Sequence, residues 1–142
     1  MKEKTKRGAI KMKNIKTINW ILAGIVAVYF FISAFSDLSH ASQAVEIVKK
    51  LGYPEYFLNI LGIAKFLGII ALLVPKFNTL KEWAYAGFTF DAISAVWSNI
   101  ASHYPSESIA GVIAIVILIP SYIMFRKLNG IRVQPANKQS SL

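Results

Sequence analysis

The stretch EYFLNILGIAKFLGIIALLV, residues 55–74, is apolar along nearly its whole length but carries a lysine, Lys65, near its centre. A helix of about 20 apolar residues is long enough to cross the hydrocarbon core of a bilayer. A charge near the midplane is costly, so such residues are rare and are usually paired inside a helical bundle. Lys65 therefore predicts both a membrane span and an acidic partner.

The partner is predicted in the next apolar run, WAYAGFTFDAISAVWSNIAS at residues 83–102, which has Asp91 at its centre. Counted from the same side of the membrane, Lys65 is ten residues into its run and Asp91 eleven residues into the next. At ~1.5 Å per residue the two charges lie within about 2 Å of the same depth. We predict that they face one another as an intramembrane charge pair. Such a pair is either functional or purely architectural, and the sequence leaves both open.

Four apolar runs of this kind make up most of the chain, at residues 18–36, 55–74, 83–102 and 109–125. Hydrophobic residues are 55% of the 142 residues, and the mean hydropathy is +0.49. A soluble four-helix protein is disfavoured because the last run has no charged residue on any face. The predicted fold is all-α, an integral membrane four-helix bundle, in which the third span is the least hydrophobic.

The basic residues predict the topology. Of the sixteen Lys and Arg, thirteen precede the first run, lie between the second and third, or follow the fourth. Only Lys49 and Lys50 lie on the other side, so the positive-inside rule places both termini in the cytoplasm. We divide the chain into a basic segment 1–17, a membrane domain 18–127 and a polar tail 128–142, expected to be disordered. The lipid bilayer is the expected partner of the basic residues, and nucleic acid is not.

The first run has an alternative interpretation as a secretory signal, since basic residues and an apolar core precede a Ser39-His40-Ala41 sequence. The run is long for a signal core, and its removal would place the termini on opposite sides. We therefore expect a retained first helix.

Helical periodicity predicts two further features. Residues 41–51 have apolar side chains on one face and Glu46, Lys49 and Lys50 on the other, typical of a short interfacial helix ended by Gly52. In the third span, small residues including Gly87 and Ser94 form one stripe, which we expect to be the packed face. The bulky stripe of Phe90, Ile93, Trp97 and Ile100 is expected to face lipid.

Titratable groups are also predicted at the outer end of the bundle. Asp37 and His40 close the first span, while His103 and Glu107 follow the third. This outer-end polar cluster could bind a polar ligand or relay protons, or it could simply mark the water interface. The chain has no cysteine and only these two histidines, so thiol chemistry is excluded and no metal site is predicted.

The order of these elements resembles the DoxX-like family. The resemblance rests on LGYP at residues 51–54, the span with Lys65 and flanking glycines, Pro75, and above all EWAYAGF at residues 82–88. It covers roughly residues 15–127. It implies a compact four-span protein of the bacterial inner membrane. The family takes its name from a subunit of an archaeal thiosulfate:quinone oxidoreductase, and other relatives are linked to redox-stress complexes.

Two functions follow as expectations from the residues and the resemblance together. The first is a non-catalytic subunit of a membrane redox complex, or a binder of a small ligand such as a quinone or lipid. The second is a membrane oxidoreductase acting with quinone, with Lys65 and Asp91 as electrostatic or proton partners. The sequence does not decide whether the protein is an enzyme. A protein partner, a homo-oligomer and a bound quinone all remain open; no other cofactor is evident.

Overall fold

The computed structural model describes residues 1–103 and 105–133, and this part of the chain is helical with no strand. The helices are listed in chain order, with a 3-10 turn at Pro105–Ser108 before the last: α1 Lys2–Leu38, α2 Ser42–Lys50, α3 Tyr56–Leu73, α4 Asn78–Ala101 and α5 Ile109–Val133. Within these described residues, three segments are long and apolar enough to cross a membrane, namely Lys2–Leu38, Tyr56–Leu73 and Pro105–Gly130. The prediction of an all-α membrane helical bundle is confirmed.

The four long helices form a ring in which α1 packs on α3, α3 on α4, α4 on α5, and α5 on α1. Helices α1 and α4 lie opposite one another in this ring and meet through aromatic side chains. Phe30 of α1 and Phe88 of α4 stack with centroids 4.1 Å apart. On the other side of this stack, Tyr85 shares a hydrogen bond of 2.7 Å with the buried Ser121 of α5. A polar tie of this kind leaves neither hydroxyl unsatisfied in an apolar interior.

Large apolar side chains cover the outside of the ring. Phe90 and Trp97 are 72% and 75% exposed, and Ile93 and Ile100 lie on the same face. Contiguous exposed apolar surface on this scale is not tolerated in water. The structure agrees with the predicted lipid-facing stripe of α4.

The expectation for the small-residue stripe of α4 was wrong in part. Gly87 and Ser94 are exposed rather than packed, and a Cβ at Gly87 would meet no atom within 4 Å. The core face of α4 is instead formed by Ala84, Phe88 and Ala92. Gly87 lies at a gap between helices, because α4 is turned so that Phe88, the neighbouring residue, fills the centre of the ring.

Close helix approach occurs at other glycines. A Cβ at Gly62 would lie 3.1 Å from the carbonyl oxygen of Ala34, and one at Gly111 would lie 2.9 Å from that of Ala92. At Gly68 the added atom would meet the ring of Phe88. Small residues allow such backbone approach between membrane helices. The contact at Gly62 also sets the depth of α1, whose end lies beside the second turn of α3.

Helices α1 and α2 are each followed by a residue with a left-handed backbone conformation. Gly52 has φ +81°, the amide of Gly52 donates to the carbonyl of Lys49, and the amide of Tyr53 donates to that of Val48. These two bonds define a Schellman cap, which explains why glycine ends α2. His40 has the same role after α1, with φ 49°.

The last helix extends further than the sequence indicated. α5 continues to Val133, so its final turn falls within the segment that we expected to be a disordered tail. At the other end of the chain, α1 begins at Lys2 and carries the basic segment 1–17 as a continuation of the first span. Residues 134–142 of the tail lie outside the described residues.

We expect Gly111→Ala to destabilise the protein, because the new methyl group would be driven into the backbone of α4 at Ala92. Overpacking of this kind typically costs ~1–3 kcal/mol. Thermal unfolding in detergent measures the effect. Gly24→Ala is the matched control, since a Cβ there meets no atom within 4 Å. Equal melting temperatures for the two variants would contradict the close packing of α4 on α5.

Candidate functional site

Lys65 is the centre of the buried polar contacts between α1, α3 and α4. Its ammonium donates to Asp37 Oδ2 at 2.8 Å and to Ser33 Oγ at 3.0 Å, and lies 3.6 Å from Asp91 Oδ2. The exposed fractions of the three charged side chains are 10% for Lys65, 12% for Asp37 and 24% for Asp91. We call these three residues the charge triad. Lys65 does lie close to Asp91, but its shorter bond is to Asp37.

Asp37 reaches Lys65 because α1 ends deeper than the start of α3. Gly62 lies against Ala34 and Leu38, and Gly62 is six residues after Tyr56. At ~1.5 Å per residue the end of α1 is about 9 Å below the start of α3. We expected Asp37 at the outer end of the bundle because we assumed that all the spans end at the same depth. The lysine stem covers the remaining distance, since its long side chain carries the charge away from its own Cα.

Around the charge triad, a groove with a volume of about 1140 Å³ runs between α3 and α4. Leu67, Trp83 and Phe90 line it and are among the exposed apolar side chains of the outer surface. Gly87 and Ser94 form its α4 wall. The groove therefore opens sideways, on the surface that faces lipid, and the charge triad is its charged part.

Helix α2 covers the outer part of this groove. Its apolar residues Ile47 and Val48 line the groove, and Val48 is buried. The polar face carries ion pairs, with Lys49 2.6 Å from Glu55 and Lys50 2.7 Å from Glu46. The hydrogen bond from Lys50 and, second, the positive charge of Lys50 hold the pKa of Glu46 below its ordinary value. The short helix thus has one face for water and one for the groove.

The structure does not assemble the predicted outer-end polar cluster as one set of contacts. Asp37 belongs to the charge triad, and His40 Nε2 lies 2.9 Å from Asn59 Oδ1 of α3. His103 follows α4 with φ 63°, in the same left-handed position that His40 occupies after α1. Glu107 lies in the 3-10 turn, and no ion pair in the described part of the chain joins it to these residues. Both histidines have a local role in ending a helix.

Tyr29 is a groove residue that the sequence did not single out. Its hydroxyl donates to the carbonyl oxygen of Ala110 at 2.6 Å, and both residues line the groove. This bond joins α1 to the first turn of α5, at the back of the groove. A tyrosine within an apolar span gives no periodic signal, so its partner is visible only in three dimensions. Among the described residues, no three His, Asp or Glu side chains are grouped to hold a metal ion.

The family model described as the DoxX-like family matches residues 21–121. The chain belongs to the DoxX-like family. The match covers α1 from Ile21 through the middle of α5, so it includes the charge triad and the groove. The resemblance drawn from the sequence is confirmed. No curated protein and no solved structure matches the chain significantly.

We expect Lys65→Leu to lower the free energy of unfolding by ~3–5 kcal/mol, because it leaves the buried Asp37 carboxylate without its cation. Adding Asp37→Leu should restore more stability than adding Asp91→Leu, since Asp37 is the more enclosed of the two and is bonded directly to Lys65. Folded yield by gel filtration and melting temperature in detergent measure both effects. Equal restoration by the two second substitutions would contradict the stronger coupling to Asp37.

Proposed function

We propose that this DoxX-like protein binds an amphiphilic small molecule in the groove between α3 and α4, and that it does so without catalysing a reaction. The supporting observation is the groove itself, a mostly apolar channel of about 1140 Å³ that is open towards lipid and carries charged side chains only at the charge triad among the described residues. Binding sites for small molecules have volumes of this order, with mostly apolar walls and a few placed polar groups. A quinone, a lipid or a sterol-like molecule matches that general chemistry.

The shape of the groove favours lateral entry from the bilayer. Its exposed rim includes Leu80 and Trp83 towards one end and Phe90 near the middle, so an apolar tail would lie along side chains that otherwise contact lipid. The headgroup would then reach the charge triad beneath α2. A ligand that already resides in the membrane needs no path through water.

The membrane arrangement that this proposal needs is four spans with both termini in the cytoplasm of a bacterial inner membrane. The span that must be added to the three apolar segments is α4. It is less apolar than the other three because it carries Asp91, Ser94 and Ser98, which line the groove. Its 24 residues correspond to about 36 Å, enough to cross the ~30 Å hydrocarbon core. The excess of basic residues at the termini, with Lys76 and Lys81 at the turn from α3 into α4, supports this orientation.

A quinone-linked oxidoreductase is the second candidate. One observation favours it, namely that Lys65 and Asp91 put a proton donor and a proton acceptor side by side in a groove open to lipid. A membrane redox complex is the corresponding proposal for a protein partner, and a homo-oligomer remains a further proposal. Quinone extracted from the purified protein fits both candidates, whereas turnover of an added quinone supports this one, and a soluble protein that co-purifies supports the complex.

The groove predicts a variant that blocks binding without unfolding the protein. Gly87→Leu would extend a side chain into the open space beside Gly87. Native mass spectrometry of the protein purified in mild detergent should show a retained small molecule in the wild type and its loss in this variant. The matched control is Gly24→Leu, which also meets open space but lies away from the groove. Equal retention in both variants, or no retained or rebinding amphiphile in the wild type, would exclude the groove as the binding site.

The orientation has its own test, because the chain contains no cysteine. We expect Thr79→Cys at the start of α4 to be protected from a membrane-impermeant maleimide in intact cells. Ser106→Cys, beyond the end of α4, should react. Both positions are exposed. Reaction of both cysteines, or of neither until the membrane is broken, would mean that α4 does not cross the bilayer.

A further inference from the structure

The charges that line the groove do not balance. Among the described residues the lining contains one cation, Lys65, and two carboxylates, Asp37 and Asp91. Lys65 and Asp37 neutralise one another at 2.8 Å. One negative charge is left, and an uncompensated charge in a poorly solvated site is strongly unfavourable. The site therefore needs either a proton or a second cation.

Asp91 is the place where that proton or cation would sit. Lys65 Nζ is 3.6 Å away, beyond an ordinary hydrogen bond, and the ammonium already donates to Asp37 and Ser33. Among the described residues, the long contact with the Lys65 ammonium is the polar interaction of the Asp91 carboxylate. Its side chain is also the most exposed of the charge triad, at 24%, and it lines the groove. The Asp91 carboxylate can therefore accept further hydrogen bonds from a ligand in the groove.

The other groups around Asp91 do not offer a competing cation. On α1, the Tyr29 hydroxyl is committed to the carbonyl oxygen of Ala110, the residue that α5 contributes to the groove. The charged residues of α2 pair on its outer face, as Lys50 does with Glu46. The remaining neighbours, Lys65 and Asp37, already bind one another.

We infer that the ligand of the groove is a lipophilic organic cation, an amphiphile with an ammonium headgroup that binds Asp91 and displaces a proton from it. This inference rests on the proposed binding function and names the ligand class. In the empty groove the Asp91 carboxyl carries the proton. When the cation enters, the O–H bond of that carboxyl breaks, the proton leaves to water, and the carboxylate pairs with the ammonium. One positive charge replaces another, so the charge of the site stays balanced.

Lys65 does not exclude such a headgroup, because Asp37 compensates its charge. The open space beside Gly87 leaves room for substituents on the nitrogen, and Ser94, on the same face of α4, also lines the groove. Phe90 and Trp83 line the tail path, and aromatic faces attract cations on their way in. A neutral amphiphile could occupy the same groove but would leave the proton on Asp91.

The test uses decyltrimethylammonium, whose charge does not change with pH, and the neutral triethylene glycol monodecyl ether. Calorimetry is done with the full-length protein in phosphatidylcholine nanodiscs, with empty nanodiscs subtracted. We expect the cation to bind roughly tenfold or more tightly than the ether, since a charge pair in a site of reduced dielectric is strong. Its affinity should fall by up to about tenfold per pH unit on acidification. Titrations in buffers of different ionisation enthalpy should show release of about one proton.

The decisive variant is Asp91→Asn, which keeps the Lys65–Asp37 bond and the shape of the side chain. It should abolish the preference for the cation, the proton release and the pH dependence, while the ether still binds. Glu82→Gln is the matched control, because it makes the same carboxyl-to-amide change on α4 at a residue outside the groove lining, and it should keep all three. Equal binding of both probes to the wild type, or cation binding without proton release, overturns this inference and leaves the binding function standing. Binding of neither probe overturns both.

Discussion

The Lys65 ammonium is the constraint on which the arrangement of the bundle depends. In a membrane interior no water is available to solvate it, so protein oxygens must surround it. The structure supplies them from two different helices, with Asp37 and Ser33 on α1 and Asp91 on α4. A charge that needs partners from both neighbours of its own helix also specifies which helices those neighbours are.

The packing of small residues follows from the same constraint. For Asp37 to reach Lys65, α1 must approach α3 closely, and Gly62 permits this by placing no side chain against Ala34 and Leu38. On the other side, Phe88 reaches across the ring to stack on Phe30 and lies against Gly68. Because α3 contacts α1 closely at Gly62, and Phe88 of α4 packs at the centre of the ring, α3 and α4 are separated near Gly87. The groove occupies that space.

The polarity of α4 has its explanation in this groove. A helix with Asp91, Ser94, Ser98 and Asn99 would be a poor membrane span if those side chains faced lipid. Each of them lines the groove instead, while the bulky side chains of the same helix face outward. The polar side chains that make α4 the least apolar of the long helices therefore belong to the groove. Membership of the DoxX-like family adds the context of a membrane protein, and the chemistry of the groove must be argued from its own residues.

The amino-acid sequence was enough to predict the helical class, the apolar segments and the need of Lys65 for an acidic partner, because hydropathy and the cost of a buried charge are local properties of the chain. It also determined the end of α2, since a Schellman cap favours glycine at the position of Gly52. It could not determine that Asp37 is the closer partner, because that depends on how deep α1 ends beside α3. The same limit applies to Gly87. A stripe of small residues is compatible both with tight packing and with a cavity, and only the rotation of α4, set by Phe88 in the centre of the ring, decided between them.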